Sequence, residues 1–162
     1  MAETIRLREM TIRYSASRDT DGKPLLTDRT IRCASDIAPA LVSLLGQEAV
    51  EVFVVVCLST RARVIGYHVA GRGTIDSASA HPRDVFKAAL LANASAVIVA
   101  HNHPSGDPAP SRDDRLLTHR LIRAGELLNV PLADHLVVGD RTWLSFRDLG
   151  LFPAWALYDL GQ

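Results

Sequence analysis

The strongest constraint on the fold is a pair of short, almost unbroken apolar runs, EVFVVVCL at Glu51–Leu58 and AVIVA at residues 96–100. β-Branched and aromatic residues at that density mark buried strands, and both runs fall far short of the ~20 residues a membrane-spanning helix needs. Helical patterns lie around them. Ser35 or Asp36 can cap a helix running to about Leu45 and closed by Gly46. His81-Pro82 opens a second helix, with Pro82 in its first turn and Val85, Phe86, Ala89 and Leu90 as its apolar face. A third spans about 111–128, with Leu117, Leu121 and Leu128 as its inward stripe. Residues 63–69 read as a strand that follows the turn 59–62 and ends at Gly71 and Gly73. Segments 132–138 and 142–146 form a final strand pair turning at Gly139-Asp140. Nearer the start, Ile5, Leu7, Met10, Ile12 and Tyr14 predict a strand or hairpin, and Asp21-Gly22-Lys23-Pro24 a turn. Interleaved strands and helices predict an α/β domain with a mixed central sheet flanked by helices.

Bulk properties narrow the function. The 162 residues suit one domain, without repeats or an internal linker. Lys plus Arg and Asp plus Glu number 18 each, so the formal charge is zero, which argues against a strongly cationic nucleic-acid binder. Cys33 and Cys57 are too few for a disulfide framework or a four-thiolate metal site and fit a reduced protein. The opening MAETIRLREM is charged throughout and lacks an apolar stretch, so no secretory signal and a cytoplasmic, membrane-free location are expected.

The chemistry concentrates in VIVAHNHPSGDPAPSRDD. In extended backbone, side chains two residues apart point the same way, so His101 and His103 can present two imidazoles to one ion while Asn102 faces elsewhere. Asp114 lies three residues before Leu117 and seven before Leu121, which puts it on the inward face of its helix. An unpaired charge there is costly, and a metal ion compensates it. Two imidazoles and one carboxylate leave a fourth position open, as in catalytic zinc sites. Simpler readings compete. A His-X-His pair alone is a weak signal, and Ser111-Arg112-Asp113-Asp114 is close to a capping box; a capped helix start also fixes a ligand. In HNH nucleases the three name-giving residues are dispersed, unlike these adjacent ones. A zinc deaminase needs His-X-Glu and Pro-Cys-X-X-Cys, both missing here.

The positions also resemble a known motif. His101-Asn102-His103, seven residues, Ser111, two residues and Asp114 are similar to the JAMM (MPN-plus) metallopeptidase motif without a gap, and the wording HNHPSGDP resembles the RadC branch. Gly73-Thr74, His81-Pro82-Arg83, Asp134-His135 and Trp143-Leu144-Ser145 add to the likeness, which spans roughly 35–151. It implies a JAB/MPN (cytidine-deaminase-like) architecture over 35–155, with 1–34 as an extension. The helix-hairpin-helix domain of longer RadC proteins has no counterpart in these residues.

The resemblance further implies one zinc ion held by His101, His103 and Asp114. Glu51, at the start of a strand, would be the acid/base, with Glu48 as its rival. Ser111 would orient the substrate carbonyl. The expected activity is zinc-dependent cleavage of an amide or isopeptide bond in a peptide or protein. The alternative is a DNA-repair-associated accessory or DNA-binding module with a structural or non-peptidase zinc site. A DNA-cleaving metalloenzyme ranks behind both, because no basic or second-metal cluster accompanies the motif. His81 is expected to cap its helix, and His135 to make a core or supporting hydrogen bond. Asp107 and Asp134 are open as carboxylates that orient the imidazoles. His68 and His119 are expected at the surface, and Cys57 in packing.

Overall fold

The computed structural model describes residues 30–73 and 80–153. The N-terminal strand or hairpin, the Asp21–Pro24 turn and Thr74 lie outside the described residues. Among the described residues eight elements follow in order: α1 (Ala34–Leu45), β1 (Glu51–Leu58), β2 (Val64–Gly73), α2 (Pro82–Leu91), β3 (Ala96–Asn102), α3 (Arg112–Leu128), β4 (Leu132–Val138) and β5 (Trp143–Ser145). The strands form one sheet in the order β2-β1-β3-β4-β5. Only β3 and β4 are parallel; the other pairs are antiparallel, so the sheet is mixed.

The two apolar runs occupy the centre because both of their faces must be covered. One face, carrying Val52, Val54, Val56, Ile98 and Ala100, packs on Ile37, Ala38, Leu41 and Leu45 of α1. The other, carrying Phe53, Val55, Cys57, Val97 and Val99, packs on Val85, Phe86 and Ala89 of α2 and Leu121 and Ile122 of α3. Each fully buried Val or Leu contributes roughly 1.5–3 kcal/mol relative to exposure, which makes this two-sided core the main stabilising term. Burial pushes the Cys57 thiol up to about 11, in keeping with a packing role. Among the described residues, no helix is long and apolar enough to cross a membrane.

Several boundaries differ from the sequence reading. β2 continues to Gly73, because Gly71 pairs with Phe53 and Gly73 with Glu51, and a register shift falls between Phe53 and Val54. At a sheet edge beside a bulge, glycine is tolerated instead of ending the strand. α1 is capped at Cys33, not at Ser35 or Asp36; Asp36 sits in the first turn and accepts from the Arg32 and Cys33 N–H groups. His81 caps α2 as expected, its Nδ1 accepting the Arg83 N–H at 3.1 Å. Leu90 and Leu128 are exposed, not inward. Gly125 is the last inward position of α3, and Phe86 and Val130 close against it. β5 is shorter than 142–146, leaving Thr142 in the turn and Phe146 buried beyond the strand.

Candidate metal centre

The site forms where β1 begins and β3 and β4 end. Phe53 of β1 lies opposite His101 in the antiparallel pairing, and His101 lies beside Val137 of β4. His101 therefore faces the α2/α3 side, fully buried, with its ring stacked on Phe53 at 5.8 Å. His103 follows just past the strand, where its N–H donates to the Val138 carbonyl at 2.9 Å. The intervening Asn102 points to the α1 side. Its Oδ1 accepts the Val52 N–H at 2.8 Å, and its Nδ2 donates to the carbonyls of Glu48 and Val50.

α3 supplies the third group. Ser111 caps it in a capping box: Ser111 Oγ accepts the Asp114 N–H at 3.1 Å, while Asp114 Oδ2 accepts from the Ser111 N–H and hydroxyl, both at 2.7 Å. The capped first turn turns the Asp114 carboxylate inward onto the imidazoles.

His101 Nε2 lies 3.1 Å from His103 Nε2 and 3.1 Å from Asp114 Oδ1, and His103 Nε2 lies 3.4 Å from Asp114 Oδ2. Zinc bonds of 2.0–2.2 Å in a tetrahedron put neighbouring donors about 3.3–3.5 Å apart. The three side chains thus converge at a spacing that fits a small divalent cation. Protonation follows the same geometry. Burial pushes the Asp114 carboxyl up, but hydrogen bonds to His101 and His103 outweigh it and hold Asp114 well below the usual carboxylate range. Asp114 raises His103, helped by the Asp107 carbonyl and the charge of Glu51 and opposed by burial. His103 Nδ1 donates to the Asp107 carbonyl at 2.7 Å, so that nitrogen carries a proton and Nε2 is the atom turned to the centre.

Residues 31–151 match the RadC-like JAB domain family. The chain belongs to that family. It is 55% identical over 100 residues to a UPF0758 protein of Thermotoga maritima, covering 62% of this chain and 45% of the relative. It is 45% identical over 115 residues to one of Symbiobacterium thermophilum, covering 71% and 47%. A third, from Desulforamulus reducens, is 39% identical over 128 residues, covering 79% and 56%. The chain thus spans about half the length of these curated relatives.

In this RadC-like domain Glu51 is half-buried as the first residue of β1. Two residues before Phe53, it stands on the face of His101 and opposite the continuation of β3 into His103, whose protonation its charge favours. Glu48 is engaged elsewhere: both its oxygens accept from the Arg72 guanidinium at 3.0 Å. His68 and His119 are exposed. The carboxylates of Asp107 and Asp134 touch no imidazole. Asp107 holds His103 through its carbonyl, while its carboxylate accepts the Ala109 N–H. Asp134 accepts from the Ser145 hydroxyl and the His135 and Arg147 N–H groups.

Sequence reading passed over Thr118 altogether. It lies four residues after Asp114 on the same inward face of α3, which is the one signal that pointed to it. His135, expected to make a supporting bond, bridges Thr118 and His101: its Nδ1 is 2.6 Å from Thr118 Oγ1 and its Nε2 is 2.9 Å from His101 Nδ1. Phe146 stacks on its other side at 4.6 Å.

Proposed function

We propose that this RadC-like domain is a zinc-dependent hydrolase that cleaves an amide or isopeptide bond in a peptide or protein. The observation that carries this reading is the convergence of three side chains, whose potential ligand atoms, one from each, lie within 4.8 Å of one another, with Glu51 on the same face. His101, His103 and Asp114 would hold the ion. When bound, zinc supplies Lewis acidity, enough to bring the pKa of water to about 7.

The remaining roles belong to the chain. Glu51, not a ligand, takes a proton from the attacking water and delivers it to the leaving amine. Ser111 hydrogen-bonds the substrate carbonyl oxygen once its proton turns away from Asp114 Oδ2. Asn102 holds 48–52 against β3 and so fixes where Glu51 stands.

The test is cleavage of a panel of peptide and isopeptide substrates by the zinc-loaded chain, with a DNA-binding assay at several salt concentrations alongside. The reading expects cleavage that chelation abolishes and that Glu51→Gln removes while zinc content stays unchanged. Salt-steep DNA binding without cleavage of any amide would instead favour the nucleic-acid module.

A further inference from the structure

We infer that Thr118 and His135 are positioning residues that fix the proton of His101 on Nδ1, leaving its Nε2 lone pair free for the metal. The inference rests on reading His101 as a ligand, and it assigns a function to two residues outside the ligand and catalytic set.

The direction of each hydrogen bond follows from one that is unambiguous. Thr118 Oγ1 lies 2.6 Å from the Asp114 carbonyl, which can only accept, so the single hydroxyl proton goes there. Thr118 Oγ1 must then accept from its second neighbour, His135 Nδ1, at 2.6 Å. His135 is fully buried, and its two ring nitrogens meet only Thr118 Oγ1 and His101 Nδ1, so no carboxylate bonds to it as an imidazolium would require. A neutral imidazole with its proton on Nδ1 offers a lone pair at Nε2. His101 Nδ1, 2.9 Å away, therefore donates to it and carries the proton. The chain of bonds runs from the Asp114 carbonyl through Thr118, His135 and His101 to the point where the donors meet. It begins and ends on ligand residues, because the helix turn that presents the Asp114 carboxylate also offers the carbonyl that anchors the relay.

Packing keeps the relay aligned. Phe53 stacks on His101 with the planes 10° apart, and Phe146 stacks on His135 at 12°. Among the described residues no buried side-chain nitrogen or oxygen lacks a partner, so reversing one bond orphans another.

Long-range nitrogen–proton NMR of the full chain, metal-free and then with added Zn2+, reads each imidazole tautomer directly. The metal-free spectrum needs no ligand, so it tests the tautomer even if zinc fails to bind, whereas absent zinc binding by the wild type sinks the ligand reading alone. The expected result is a proton on Nδ1 of both His101 and His135. A His101 Nδ1 that carries no proton, in the metal-free or the zinc-loaded chain, overturns the inference. Zn2+ affinity, measured by competition with a chromophoric chelator, should fall about 10–100-fold in Thr118→Val and stay near wild type in Thr118→Ser, which keeps the hydroxyl. Wild-type affinity in the valine variant, or equal loss in both, contradicts it.

Discussion

Asn102 and Val52 are joined by a 2.8 Å hydrogen bond from the Val52 N–H to the Asn102 side-chain oxygen, and this bond ties the start of β1 to the end of β3. The same amide caps two carbonyls, of Glu48 and Val50, so one side chain satisfies three backbone groups around Glu51.

Replacing Asn102 therefore acts on Glu51 more than on the donors. Asn102→Ala leaves a buried N–H and its neighbouring carbonyls without partners, and urea denaturation should show a loss of about 1–3 kcal/mol. Asn102→Asp turns a carboxylate onto two carbonyls and should cost more. In the alanine variant zinc binding should persist while amide cleavage falls, measured by metal content and turnover on one preparation.

Ser111 and Asp114 share a capping box, yet their variants should separate. Asp114→Ala removes a donor from the centre and should abolish zinc binding. Ser111→Ala keeps all three donors and should retain zinc, lose cleavage and lower stability by about 1 kcal/mol through the lost cap. Metal content and thermal unfolding of the two proteins check this.

Asp134 makes stability depend on pH. Burial outweighs its hydrogen bonds from Ser145, Arg147 and His135 and raises its carboxyl from 3.8 to about 6. Between those values the folded chain holds a proton that the unfolded chain has released. Its contribution is thus fully present below 3.8, is lost as pH rises toward 6, and is constant above. At 1.36 kcal/mol per unit the change is up to about 3 kcal/mol. Asp134→Asn keeps an acceptor for both N–H groups, puts a donor in place of the oxygen that accepts from the Ser145 hydroxyl, and should flatten the profile. Unfolding at a series of pH values measures it.

Gly139 sets how closely the β4–β5 turn approaches the loop after His103. A Cβ there would lie 2.3 Å from the Gly106 carbonyl oxygen, so Gly139→Ala must push the two backbones apart. The loop carries the Asp107 carbonyl that orients His103. Zinc affinity should drop in Gly139→Ala, and chelator competition tests that.

What was legible in the sequence was local. Runs such as Glu51–Leu58 and 96–100 announced their burial, and the position of Asp114 relative to Leu121 gave the inward face correctly. Errors arose where neighbours decide: Gly71 and Gly73 extend a strand because β1 lies beside them, and Leu128 is exposed because Gly125 ends the inward row. His135 was recognisable as buried, but its bridge joins residues 34 and 17 positions away, and no local pattern encodes that distance. Thr118 carries no motif of its own; its meaning appears only once α3 packs on β4.

The most direct test of a three-donor zinc centre is elemental analysis of the full chain, purified with Zn2+ present, beside His101→Ala, His103→Ala and Asp114→Ala. About one zinc per wild-type chain and close to none in each variant is the predicted result. Wild-type protein without zinc, or variants that retain it at full stoichiometry, would contradict the assignment.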